Sequence, residues 1–237
     1  MVPDGSLGRG ALAGAVRWVV LASCVALAGC STVVAGRPTH SRIDSGPIHP
    51  SQLDELLTPS SAFSVVRGKP LVEQDMQTAP FVGADPAECQ GVAGYGRYPL
   101  FPKDYTGREA RTQDDDGRKD QHQLLEVSAT YPGTFDAVRF LDSVRQTVSG
   151  CQHPVTAWGD DRHKITVNPG PLTASSPEVV HWTTNLVGEQ WICDFAVIAK
   201  ANVIAQIVTC SPTRSIDVQP LVTKRLRKIG ELLNSTA

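Results

Sequence analysis

Few side chains in this sequence are suited to covalent or metal chemistry: there are six Cys and six His among 237 residues. Their spacing decides what they can do. A structural zinc site sets pairs of cysteines about two to four residues apart, whereas Cys89, Cys151, Cys193 and Cys210 each stand alone. A serine hydrolase presents its nucleophile on a tight turn of the G-x-S-x-G type, and no such motif occurs. The run Asp114-Asp115-Asp116-Gly117 has the residues of a calcium loop in the wrong register, with Leu125 where the bidentate glutamate belongs. It reads as a solvated acidic loop. The glycines of Gly91 to Gly96 lack the following Lys and Ser/Thr of a phosphate loop, and read as a surface loop. The sequence therefore predicts no catalytic residues, no metal and no cofactor. With a net charge of −2 and no long basic run, it also predicts no nucleic-acid partner.

One cysteine has a different chemistry. Arg9 and Arg17 give a weakly basic start, and Trp18 to Ala28 follows without a charge. That stretch is short of the roughly 20 apolar residues a spanning helix needs, and suits the hydrophobic part of a signal peptide. It ends in Leu27-Ala28-Gly29-Cys30, which resembles the bacterial lipobox. The small residues fit a peptidase pocket, and the Cys30 thiol is the nucleophile that takes a diacylglyceryl group. Residues 1–29 are thus expected to be removed, and Cys30 to hold the chain by lipid on the outer, extracytoplasmic face of the cell membrane. Residues 30–49 are rich in small, polar and proline residues and read as a flexible tether.

An exported chain oxidises its remaining cysteines to disulfides. Cys24 leaves with the signal, so four are left. Residues 191–200 and 203–210 are apolar, strand-like runs meeting at Ala201-Asn202, and Asn tolerates the positive φ of a tight turn. With those two residues at the turn, Lys200 faces Val203. Counting back along both strands then sets Cys193 opposite Cys210, within disulfide reach. Cys89 is left for Cys151.

The positioning elements follow from periodicity. Ser51 is expected to cap a turn carrying Leu53, Leu56 and Leu57, and Thr58-Pro59 to open a helix ending at Gly68. Lys69 to Asp120 reads as irregular. Leu124 to Tyr131 is strand-like. Thr134 is expected to cap a helix with Phe135, Val138, Leu141, Val144 and Val148 inward. Strands are expected at 155–158, 164–168, 178–187 and 189–200, with the last two paired around Gly188. A final helix from about Asp217 turns Leu221, Val222, Leu226, Ile229 and Leu233 inward and Lys224, Arg225, Arg227 and Lys228 outward. The fold class is α+β: an antiparallel β-sheet with helices packed on it and two disulfides, as one domain over 50–237.

Trp158, His181, Trp182, Thr184 and Trp191 supply aromatic and polar material on these strands. Alternation sets His181, Thr183 and Asn185 on one face of their strand and Trp182, Thr184 and Leu186 on the other. The more polar face is the one expected to meet solvent or ligand. The candidate ligand-binding residues are therefore Trp158, His181, Thr183 and Asn185.

A family resemblance rests on Leu56-Leu57 before Thr58-Pro59, Val65-Val66, Pro86-Ala87-Glu88-Cys89, the Phe135–Val148 helix running into Cys151, and the Cys193–Asn202–Cys210 hairpin before an amphipathic helix. Together these resemble the PknH-like extracellular sensor domain of mycobacteria and their relatives, over roughly residues 50–235. The family's domains occur on receptor kinases and as free-standing lipoproteins, and this chain reads as the second kind. The resemblance implies a two-disulfide domain with a V-shaped cleft for a ligand and no catalytic residues. The expected function is non-enzymatic binding of a small molecule, lipid or glycan outside the membrane. The alternative is an accessory to an envelope receptor kinase or other envelope protein partner.

Overall fold

The hairpin expected around Ala201-Asn202 lies near the middle of a broad sheet. A computed structural model describes residues 46–62, 64–66, 69–74, 81–115, 122–173 and 176–235. Cys30, the expected signal peptide and the tether as far as residue 45 lie outside the described residues. Among the described residues two short strands, β1 (Ser64–Val66) and β2 (Lys69–Pro70), pair with each other and not with the main sheet. Then come β3 (Val72–Gln74), β4 (Gly83–Asp85), the one-turn helix α1 (Gln90–Ala93), β5 (Gly107–Asp114) and β6 (Gln123–Thr130). Helix α2 (Ala137–Gly150) leads to β7 (Val155–Trp158), β8 (Lys164–Pro169), β9 (Val179–Leu186), β10 (Ile192–Lys200), β11 (Val203–Ser211) and helix α3 (Val218–Ser235). Nine strands form one antiparallel sheet in the order β3-β5-β6-β11-β10-β9-β8-β7-β4.

The sheet is covered on both faces. Leu125, Val127, Trp182, Phe195, Val197 and Val208 pack with Leu141, Val144 and Val148 of α2. On the other face Leu124, Ala196, Ile198, Ala205 and Ile207 pack with Leu221, Val222 and Ile229 of α3, and with Leu53 and Leu56 from two 3-10 turns near the start. Strand β11 is buried along its whole length, which explains its almost uninterrupted apolar sequence.

Both disulfides form as expected. Cys193 is the register partner of Cys210, with Cα atoms 4.1 Å apart. Cys89 joins Cys151 with Cα atoms 5.7 Å apart, pinning the end of α2 to the segment before α1.

Several local expectations are corrected. Thr58-Pro59 leads into a single 3-10 turn, Ser60–Ala62, and then strand β1 rather than a helix. The stretch read as irregular contains β3, β4, α1 and the eight-residue β5. Glu109 and Arg111 on β5 pair across to Ser128 and Glu126 on β6; burial by a neighbour strand decides this segment where its polar sequence cannot. Helix α2 is capped by Asp136, whose carboxylate accepts from the Arg139 amide at 3.0 Å. Val138 is 66% exposed and Phe140 takes its expected place in the core. At the β10–β11 turn the positive φ, 51°, falls on Ala201 and not on Asn202.

Candidate functional site

On the α2 face of the sheet, one end of the core is not filled. Leu125 of β6, Val167 of β8, Thr184 of β9, Phe195 of β10 and Val208 of β11 surround a cavity of about 120 Å³. The Cys193–Cys210 disulfide forms part of its wall. Ala93, Gly94 and Tyr95, where α1 ends, close it from the other side. Phe81, Ile165, Leu186 and Trp191 are half-buried lining residues and form its rim. Gaps of this size lined by apolar groups stay dry and accept benzene-sized guests.

Fixed contacts hold the walls. Trp182 stacks on Phe195 with ring centroids 5.0 Å apart. Its Nε1 donates to the Val92 carbonyl at 3.2 Å, tying α1 to the sheet. The Tyr95 hydroxyl lies 3.2 Å from Thr112 Oγ1. The Gly96 amide donates to Gln206 Oε1 at 2.7 Å. Cys89 anchors the start of α1 through Cys151. The segment from Gly91 to Gly96, expected to be a surface loop, is thus half helix and mostly buried.

The four candidate residues lie elsewhere. His181, Thr183 and Asn185 occupy the face of β9 turned away from the cavity, and the expectation that this face is open is corrected at His181, which is 9% exposed. Only Asn185 is fully at the surface, with Thr183 half-buried. The His181 Nδ1 contacts the Thr173 hydroxyl. Its Nε2 stands 3.8 Å from Asp194 Oδ1 and has no hydrogen-bond partner among the described residues. Arg214 grips Asp194 with Nη2 to Oδ1 at 2.6 Å and Nε to Oδ2 at 3.3 Å. Burial lowers the His181 pKa, Asp194 opposes that shift and Arg214 adds to it. Thr173, His181 and Asp194 are the residue types of a hydrolytic triad, but their geometry differs. The carboxylate is neutralised by Arg214 and lies beyond hydrogen-bond distance of the ring. The hydroxyl also donates to the His181 carbonyl at 3.3 Å, as a strand-locking group does.

Trp158 sits apart, at the outer strands. Gly83 of β4 lies flat against its ring, where an added Cβ would come within 2.4 Å. Lys164 Nζ stands 6.0 Å from the ring centroid. Trp158 borders an open depression with Val82, Asp160, Arg162 and Lys164. The structure therefore does not bring Trp158, His181, Thr183 and Asn185 together. It brings together Thr184 and Trp191, which alternation and aromatic content had already marked, and Ala93, Gly94, Tyr95 and Phe81, which no local pattern marks. The one available signal for these last residues was the Cys89–Cys151 link, which requires the chain near residue 90 to pack on the α2 face.

Among the described residues no helix is long and apolar enough to cross a membrane. No group of three or more His, Cys, Asp or Glu side chains is placed to hold a metal ion among them.

Comparison with known proteins supplies a lineage. No curated protein matches the chain. Among solved structures, the extracellular domain of PknH from Mycobacterium tuberculosis is similar at a TM-score of 0.65 with 17% sequence identity, over 81% of this chain and 99% of that one. At that identity the likeness is one of fold. The PknH-like extracellular domain profile matches residues 48–228, in agreement with the pattern of cysteines and helices. The chain belongs to the family of PknH-like extracellular domains.

Proposed function

We propose that this chain is a cell-envelope lipoprotein, anchored through Cys30, whose domain binds a small apolar molecule or the end of an acyl chain without converting it chemically. The cavity beside the Cys193–Cys210 disulfide carries this reading. Its walls are aliphatic and aromatic, and Thr184, Gln123 and Tyr95 are its polar groups. Such a lining rewards burial of hydrocarbon at about 0.8 kcal/mol per methylene. It offers few partners for the hydroxyls of a sugar, so a glycan fits less well than a lipid or small apolar molecule. No nucleophile and base converge on it.

The test uses octanoate and butylbenzene as probes of the mature chain. Both should raise Tm saturably and shift the tryptophan emission, because Trp191 stands at the rim. Val208→Phe fills the space and should abolish both effects while leaving the domain folded. If neither probe shifts Tm or emission, or if Val208→Phe responds like the parent, the binding reading fails. The anchor is tested separately: Cys30→Ala should move the protein from the membrane to the soluble fraction of cells, and a variant that still fractionates with membrane would refute it.

A further inference from the structure

We propose that the end of the sheet where the chain enters the domain rests on the lipid surface, through the exposed side chains of Tyr98, Tyr105 and Val138. This rests on the anchored reading above.

The path of the chain is fixed there by Asn202. The Ile48 amide donates to Asn202 Oδ1 at 3.1 Å, and Asn202 Nδ2 donates to the carbonyls of Ile48 at 2.9 Å and Tyr131 at 3.2 Å. Ile48 is fully buried. The segment leading back to Cys30 therefore leaves from the β10–β11 turn, and residues 31–45 span at most about 50 Å when fully extended.

Three exposed apolar side chains are carried by segments that reach the same end. Thr106 donates its amide to the Thr130 carbonyl at 2.7 Å. Gly107 packs so closely on Pro50 that an added Cβ would come within 2.5 Å, which places Tyr105 beside the incoming chain. The Tyr131 hydroxyl holds the loop by donating to the Pro102 carbonyl at 3.1 Å. Lys103 Nζ lies 5.8 Å from the Tyr98 ring centroid, and Val138 is in the first turn of α2, which begins just after β6 ends at this edge. Tyr98 is 63% exposed, Tyr105 45% and Val138 66%. Among the described residues the two other exposed large apolar ones, Val72 and Val187, lie toward the opposite end, beside Asp114 and in the β9–β10 turn respectively.

Tyrosine suits a membrane interface because its ring is apolar and its hydroxyl stays wet. Lys103, Arg108 and Arg139 are offset here by Asp104, Glu109 and Asp136, all exposed, so the attraction is interfacial rather than electrostatic. A short tether raises the effective concentration of these side chains at the surface to about the millimolar range, so weak contacts suffice. The geometry has a consequence for the cavity. Its rim at Trp191 and Cys193 is at the other end of β10 from Lys200, about 23 Å away. A docked domain presents that rim away from the lipid, toward the aqueous envelope.

Hydroxyl-radical footprinting of the mature chain tests this, with Cys30 coupled to a maleimide lipid in vesicles of phosphatidylethanolamine and phosphatidylglycerol. Labelling of Tyr98 and Tyr105 should fall at least threefold relative to the uncoupled chain, with Trp158 and Trp191 unchanged and no loss of protection in high salt. Equal labelling with and without vesicles overturns the docking and leaves the anchor standing. Protection that appears only when cell-wall glycan is added overturns it in favour of a sugar-stacking surface. The mass of the N-terminal peptide from cells reports lipidation on its own; an unlipidated Cys30 overturns the anchor, and docking in cells with it.

Discussion

Arg225 of α3 places its Nη2 2.6 Å from Oε1 of Glu126 on β6, and both residues are buried, at 4% and 0% exposure. Glu126 also accepts from the Thr58 hydroxyl and amide at 2.8 Å each. The second arm of Arg225 donates to Ser128 Oγ at 3.1 Å. One carboxylate thus links helix α3, strand β6 and the first described segment. The sequence reading put Arg225 on a solvated basic face, and the structure corrects it: α3 packs on β10 and β11, and the Arg225 side chain reaches across to Glu126 on the neighbouring strand β6. Removing one member of a buried pair leaves the other charge without compensation, at a cost of about 3–5 kcal/mol. Arg225→Met should destabilise by that order in urea unfolding, and Arg225→Met with Glu126→Gln should regain much of the loss. If the double variant is no better than the single, the cost lies in packing and not in the stranded charge.

The Cys193–Cys210 link closes a chain separation of 17 residues, and Cys89–Cys151 one of 62. In the chain-entropy account these contribute roughly 3 and 4 kcal/mol. Cys193→Ala with Cys210→Ala should therefore lower stability by about 3 kcal/mol. Because this disulfide is cavity wall, the same variant should change octanoate binding. Cys89→Ala with Cys151→Ala should cost somewhat more and loosen the segment that closes the cavity, read as faster proteolysis between residues 81 and 106.

His181 makes stability depend on pH. Its folded pKa lies below the ordinary value of 6.5, chiefly through burial. The unfolded chain therefore takes up the proton first as pH falls. The contribution of neutral His181 is complete above about pH 6.5, declines as pH drops toward the folded pKa, and levels off below it. His181→Gln should flatten that part of the stability profile while leaving the carboxylate titrations at lower pH in place. An unchanged slope just below pH 6.5 would show that His181 does not carry it.

Ala201 holds φ at 51°, a left-handed conformation that a Cβ disfavours by about 1–2 kcal/mol. Ala201→Gly relieves that cost against some added freedom of the unfolded chain. The net expectation is a gain of roughly 0.5 kcal/mol, seen as a small rise in Tm. A loss would mean that the Ala201 methyl group has a packing role greater than its strain.

What the sequence determined by itself was local or pairwise along a short stretch of chain. The Cys193–Cys210 pairing followed from a two-residue turn and strict alternation, since a register error of one residue would reverse every side chain on both strands. The α3 stripe and the end of α2 at Cys151 followed from helical period. The antiparallel α+β class followed from short connections. The tertiary structure decided what depends on distant segments meeting. Strand β5 is a strand because β6 and β3 flank it, although its own residues are mostly polar and charged. His181 is buried, and Arg225 is paired, because of elements far away in sequence. The cavity falls on the face of β9 that carries Thr184 and not the one that carries His181, because the Cys89–Cys151 link brings α1 and Tyr95 across that side. Alternation tells which residues share a face; only packing tells which face is left incompletely filled.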